Sequence, residues 1–166
     1  ARRVAGDGRL AESFFRNMRP FIFPKSHLKD PLEEIARMKW RIEEKDRDPN
    51  NIKTGTGGIR DVEFIVQALQ IIHGGKIPEI CSPHTLTAIR ALHNFDLLTI
   101  KEEHLLTKAY LFYRAIEHRL QLFEFQQTHT IPSLPSEKEQ LAKRLSFRDS
   151  NEFGKELDSH LASVKE

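Results

Sequence analysis

Apolar side chains recur at three- and four-residue intervals along most of this chain, and no convincing run alternates every second residue. That period belongs to helices packed by one face. Residues 1 to 19 carry Val4, Leu10, Phe14, Phe15 and Met18 in an imperfect helical pattern broken by Gly6 and Gly8. Pro20 and Pro24 bracket Phe21, Ile22 and Phe23, which reads as an extended connector. Asp30 before Pro31 predicts a helix start, an N-cap acceptor followed by proline at the first helical position. Leu32, Ile35, Met38 and Ile42 are in register on that helix, which dissolves into the charged stretch "EEKDRDPNN".

A second helix is predicted over residues 58 to 73. Ile59, Val62, Val66 and Leu69 share one face, Ile65 and Ile72 lie beside it, and Gly74 or Gly75 supplies a left-handed cap. Ser82-Pro83 predicts another start, with Leu86, Ile89 and Leu92 in register to about His93. The longest helix covers about residues 101 to 125, roughly 37 Å at the helical rise. Its stripe is Leu105, Ala109, Phe112, Ile116, Leu120 and Phe123. A loop, "QTHTIPSLPS", follows. Ser136 with Glu139 three residues on is a capping-box pattern, and a last helix runs from about Ser150 to Val164. The expected fold is all-α, an antiparallel bundle of about five to six helices with short joins, in one domain over residues 1–166. Trp40 and the other aromatics fall in register with the stripes, which places them in the core.

Composition narrows the class. The chain has 166 residues, 39% hydrophobic and 30% charged, which suits a globular domain. Its 26 basic and 24 acidic residues leave a net charge of +2, too small to argue for nucleic acid or an anionic membrane. The single cysteine, Cys81, excludes an intrachain disulfide and fits a reducing compartment. No apolar run approaches the roughly 18 residues of a membrane span. The opening "ARRVAGDGRLAESFF" lacks the apolar core of a signal peptide and an initiator methionine, as expected of a piece of a longer chain or of a processed one.

The least ordinary stretch is "KTGTGGIRDVEF", residues 53 to 64. It is not a Walker A loop, which ends in Gly-Lys-Ser/Thr after a strand. Two readings stay open. In one, Gly57 and Gly58 turn backbone amides toward a phosphate at a helix N-terminus, and Lys53 and Arg60 add charge, Arg60 in bidentate fashion. In the other the glycines only turn the chain, and Asp61 and Glu63 favour the helix start. Arg60, Glu63, Gln67 and Gln70 share one helix face; Tyr110, Arg114, Glu117 and Gln121 make a second stripe on the long helix. These residue types suit a fixed polar network, which either lines a cleft or knits the bundle. Asp46-Arg47-Asp48 has a metal-binding spacing but sits in a charged linker and reads as a solvated loop. The eight histidines, His27, His73, His84, His93, His104, His118, His129 and His160, form no zinc spacing with Cys81 or each other, so no metal site is expected. A G-x-S-x-G nucleophile elbow is absent.

"KTGTGGIRDVEFIVQ", "QIIHGG", "AYLFYRAIEHRLQ" and "QQTHT" resemble the bifunctional glutamine synthetase adenylyltransferase/adenylyl-removing enzymes. "ARRVAGD" resembles the segment after that family's nucleotidyltransferase domain, and "MKWRIEEK" the helix before its glycine loop. The resemblance covers nearly the whole chain. It implies a cytoplasmic parent with two similar halves, each a nucleotidyltransferase domain followed by a helical domain. The parent attaches AMP from ATP to a tyrosine of glutamine synthetase and removes it by phosphorolysis, giving ADP, under the control of PII signalling proteins and glutamine. This chain matches a helical domain, in a form closer to the N-terminal, adenylyl-removing half, with residues 1–28 as the connection from the preceding domain. "THTIPSLP" departs from the family's shorter "THTLP". The family's motif that holds Mg²⁺ and nucleotide, a Gly-Ser followed by an Asp-x-Asp, is not in this chain. The isolated chain is therefore expected to be inert and to bind neither Mg²⁺ nor ATP/ADP alone. By the same resemblance Lys53, Gly57, Gly58 and Arg60 face the phosphates or the modified tyrosine from the opposite wall, and Asp61 and Glu63 orient them or assist proton transfer. A non-catalytic scaffold and the equivalent domain of a PII uridylyltransferase are the alternatives.

Overall fold

In a computed structural model, described for residues 3–26, 31–45, 48, 50–124 and 128–165, the chain folds into seven α-helices. Asp7 starts α1 (Gly8–Ile22), its carboxylate accepting the Leu10 N–H at 2.9 Å. Then follow α2 (Pro31–Lys45), α3 (Ile59–His73), a 3-10 turn at Pro78–Ile80, α4 (Thr85–Asn94), α5 (Ile100–Glu124), α6 (Pro135–Arg144) and α7 (Ser150–Lys165). Among the described residues the one β-type pairing is an antiparallel bridge between Asn51 and Thr130. The all-α expectation holds, with α1 as the helix that its glycines had obscured.

The axis is α5, which packs against α3, α4, α6 and α7. Tyr113 and Ile116 of α5, Ile59 and Val62 of α3, Ile89 and Leu92 of α4 and Phe153 of α7 are fully buried. Phe112, half-buried on α5, meets Phe147 and His160 with ring centroids 6.0 and 5.0 Å away. Helices of ten to twenty-five residues are held by such packing more than by their own propensity.

Several local expectations are corrected. Pro20 lies inside α1, so Phe21 and Ile22 are helical and not an extended connector. A proline so near the helix end removes one ladder bond, and the Phe23 N–H still reaches Arg19 O at 2.8 Å. Gly74 caps α3 in the right-handed region, and neither it nor Gly75 has a positive φ. What these glycines supply is room: a Cβ on Gly74 would lie 2.4 Å from Cys81 Sγ, and one on Gly75 2.3 Å from Pro24 O. Ser82-Pro83 precedes α4 by a turn, because Ser82 O is held by the Gln70 amide at 2.9 Å. Ser136 does not cap α6, since Pro135 already occupies its first turn; the Glu139 carboxylate instead accepts the Ser150 N–H at 2.7 Å, where α7 begins.

Trp40 is 60% exposed, and Leu32 and Met38 are exposed with it. Helix α2 lies along α3 at the margin of the bundle, so its apolar stripe is wider than the surface it covers. Asp48 is half-buried and anchored: it accepts the Asn50 N–H at 2.9 Å and the Thr130 hydroxyl at 3.0 Å. Asp30, His27, Asp46, Arg47 and residues 125–127 lie outside the described residues, as do the side chains of Ile42 and Phe123.

Candidate functional site

The glycine loop is built from its own acceptors. Asn51 Oδ1 accepts the amides of Lys53 and Thr54 at 3.0 and 3.2 Å, and Asn51 O accepts Gly55 N–H at 2.7 Å. Gly58 N–H donates to Gly55 O, Ile59 N–H to Ile52 O and Arg60 N–H to Lys53 O, at 2.9 to 3.0 Å. Gly57 sits at φ +80 and donates to Asp61 Oδ2 at 2.7 Å. Gly57 and Gly58 are both buried. Their amides are thus committed inside the protein, and the loop presents no open cradle of donors from these two residues. The geometry is that of a tight turn, with side chains left to meet any ligand.

Asp61 secures the turn. It is 6% exposed, and its second oxygen lies 3.2 Å from Lys39 Nζ on α2. Tyr113 is fully buried nearby; burial, and then the negative charge of Asp61, push its phenol above the ordinary range, which keeps it protonated.

A second cluster joins α3 to α5. Arg114 Nη2 donates to Glu63 Oε1 at 3.0 Å and to the Tyr110 hydroxyl at 2.9 Å, and Nη1 donates to Glu117 Oε2 at 2.5 Å. The guanidinium carbon stands 5.1 Å from the Tyr110 ring centre. Glu117 is buried, and its other oxygen lies 2.9 Å from His129 Nδ1. His129 Nε2 is in turn 3.3 Å from Lys53 Nζ. The backbone explains the meeting: the Asn51–Thr130 bridge, with Ile52 N–H on His129 O at 3.0 Å, brings residues 76 apart side by side. Lys53 and Arg60 are half-buried and have no carboxylate within ion-pair distance among the described residues. Glu63, Tyr110 and Arg114 face Pro83–Leu86 across an open cleft of about 380 Å³.

Other expected members go elsewhere. Gln67 is exposed. Gln70 is buried but reaches Ile80 O and Ser82 O at 2.8 and 2.9 Å, fixing the loop after α3. Gln121 is half-buried one turn beyond Glu117 and outside the cluster that the described residues form. Lys39, Tyr113 and His129 were missed. Lys39 and Tyr113 carry no local signal, and His129 stands in "QTHT", a visible motif with no visible partner.

His129 is held below its ordinary pKa, first by burial and then by the Lys53 charge, with Glu117 acting in the opposite direction. A base with a lowered pKa in the folded state contributes stability that is full above its unfolded value and is lost as pH falls toward the folded one. The urea midpoint of the wild type is expected to fall between about pH 7.5 and about pH 5 by more than that of His129→Gln. Equal slopes for the two proteins would remove His129 from the pH response.

Among the described residues no group of three His, Cys, Asp or Glu is placed to hold a metal ion. Asp61, Glu63 and Glu117 each face a cationic side chain, so this donor set does not fit a divalent ion. No helix among the described residues is long and apolar enough to cross a membrane.

A family model described as GlnD PII-uridylyltransferase matches residues 32–166. The bifunctional glutamine synthetase adenylyltransferase/adenylyl-removing enzyme of Agrobacterium fabrum is 34% identical over 171 residues, covering 99% of this chain and 17% of that protein. Its counterpart in Stenotrophomonas maltophilia is 37% identical over 154 residues, covering 91% and 16%. That of Nitrosomonas europaea is 36% identical over 170 residues, covering 98% and 18%. The chain spans about a sixth of the length of these curated relatives.

Proposed function

The chain belongs to the GlnD PII-uridylyltransferase domain family, and we propose that it is the helical domain of a glutamine synthetase adenylyltransferase/adenylyl-removing protein, closing one side of a nucleotidyltransferase site. The observation that carries the reading is a pair of cations, Lys53 and Arg60, half-buried and lacking a carboxylate partner among the described residues, with Lys53 joined through His129 and Glu117 to the fixed Glu63–Arg114 pair. Half-buried cations without a counter-charge favour an anionic ligand, here the phosphates or the adenylylated tyrosine. The glycines shape the wall and their amides stay inside it. Asp61 and Glu63 hold the cations' surroundings in place.

The chemistry of transfer belongs to the partner domain, whose Mg²⁺ and nucleotide neutralise and orient the reacting phosphates when bound. This chain supplies orientation and exclusion of water. Residues 1–28 form the connection to that domain. Val4, Leu10, Phe14 and Phe21 are exposed and α1 buries no residue, which supports a covering partner there. Glutamine synthetase and a PII protein are the outside partners, in the cytoplasm.

The test is Arg60→Ala and Glu63→Ala in the full-length protein. Deadenylylation of glutamine synthetase is expected to fall about 100-fold for Arg60→Ala and about tenfold for Glu63→Ala, with little change in melting temperature. Wild-type rates in both overturn the reading. A scaffold reading rests on Arg114, whose bonds to Glu63, Tyr110 and Glu117 tie α3 to α5; it requires Arg60→Ala to lower melting temperature more than turnover. Modification of a PII protein, with none of glutamine synthetase, would place the parent with the uridylyltransferases.

A further inference from the structure

Lys53 meets an unusual partner. Its ammonium has three donors and no acceptor, so the imidazole nitrogen 3.3 Å away must accept. The other ring nitrogen lies 2.9 Å from a buried carboxylate oxygen, within ion-pair distance but not aligned for a hydrogen bond. The Lys53 contact requires a bare Nε2, so the ring is neutral with its proton on Nδ1, and the carboxylate beside Nδ1 favours that state by its charge. The charged groups facing the ring are Lys53 from the glycine loop and Glu117 and Arg114 from α5, while its neighbour Thr130 is tied to Asp48.

Resting on the phosphate-facing role of Lys53 given above, we propose that His129 is a positioning residue: the Glu117 charge favours its Nδ1–H tautomer, and the Nε2 lone pair holds the Lys53 ammonium where the phosphate is met. Glu117 is itself held by Arg114 at 2.5 Å and is 7% exposed, which fixes its charge beside the ring. Lysine has four rotatable side-chain bonds, and an acceptor at its tip restricts them without cancelling its charge. A carboxylate in that place would neutralise the cation and compete with phosphate; an imidazole does neither. Burial and the Lys53 charge both keep the ring neutral near pH 7, as this role requires.

Two readouts test this. Nitrogen chemical shifts of the His129 ring in the 166-residue chain are expected to report Nδ1 protonated and Nε2 bare at about pH 7.5, and Glu117→Gln is expected to raise the Nε2–H population. In the full-length protein, with inorganic phosphate as the varied substrate, His129→Leu is expected to raise KM for phosphate about tenfold while kcat changes less than about threefold. His129→Gln, whose amide oxygen can accept from Lys53, is expected to bring KM back to within about threefold of wild type. An Nε2–H ring in the wild type overturns the inference, as does a His129→Leu protein with altered melting temperature but unchanged KM, or a His129→Gln protein no better than His129→Leu. Those outcomes leave the role of Arg60 and Glu63 standing. A wild-type protein without phosphorolysis removes the functional reading first, and this inference with it.

Discussion

Gly57→Ala is expected to destabilise the fold by on the order of 4 kcal/mol, lowering the melting temperature by roughly 10 °C. Two costs add. Gly57 sits at φ +80, where an L side chain costs about 1–2 kcal/mol. Its missing Cβ would also stand 2.1 Å from Leu161 O and 2.9 Å from the carbonyl carbon. Those are backbone atoms of α7, so relief requires shifting a helix that packs on α5. Overpacking of that kind costs about 1–3 kcal/mol or more. Gly6 separates the terms, for it has φ +88 with nothing within 4 Å, so Gly6→Ala carries the backbone term alone. Gly154 lies within α7 with its nearest neighbour 3.9 Å away, and Gly154→Ala is expected to stabilise by up to about 1 kcal/mol. Thermal unfolding of the three variants checks the ordering. A Gly57→Ala protein melting within a few degrees of wild type would mean that α7 does not press on the loop.

Asp61→Ala is expected to cost about 3 kcal/mol, read from urea unfolding. Most of this comes from the Gly57 amide, buried at the turn and left without an acceptor. The Lys39 pair contributes less. Lys39's side chain is 37% exposed against 8% for Asp61, so solvent screens its charge, and Lys39→Met is expected to cost under about 1 kcal/mol. Asp61→Asn keeps an acceptor for Gly57 and loses the charge, so it belongs between the two. If Lys39→Met is as costly as Asp61→Ala, the ion pair holds the turn and the amide bond does not. Both substitutions act on the turn that sets Lys53 and Arg60, so lost stability and lost function are expected to travel together there.

The polar face of the site was half legible. Arg60 and Glu63 on α3, and Tyr110, Arg114 and Glu117 on α5, are spaced so that each set shares a face, and Arg114 does join Glu63, Tyr110 and Glu117. The glutamines at the same spacing do not follow. Gln70 is drawn off by the carbonyls of Ile80 and Ser82, and Gln67 faces solvent. Helical spacing selects a face and says nothing of what lies opposite it. Trp40 failed for a related reason. Its stripe is real, but the described bundle offers α2 only a narrow surface along α3.

By itself the sequence determined the helices, their apolar faces and the position of the sharp turn. These follow from period, from proline and glycine, and from caps, all properties of a few neighbouring residues. Only the tertiary structure decided that the turn's amides close inward on Asp61, that α7 presses on Gly57, and that His129 lies against Lys53. Those depend on contacts across the chain, 76 residues in the last case, and a paired acceptor leaves no mark at such a distance in either local pattern.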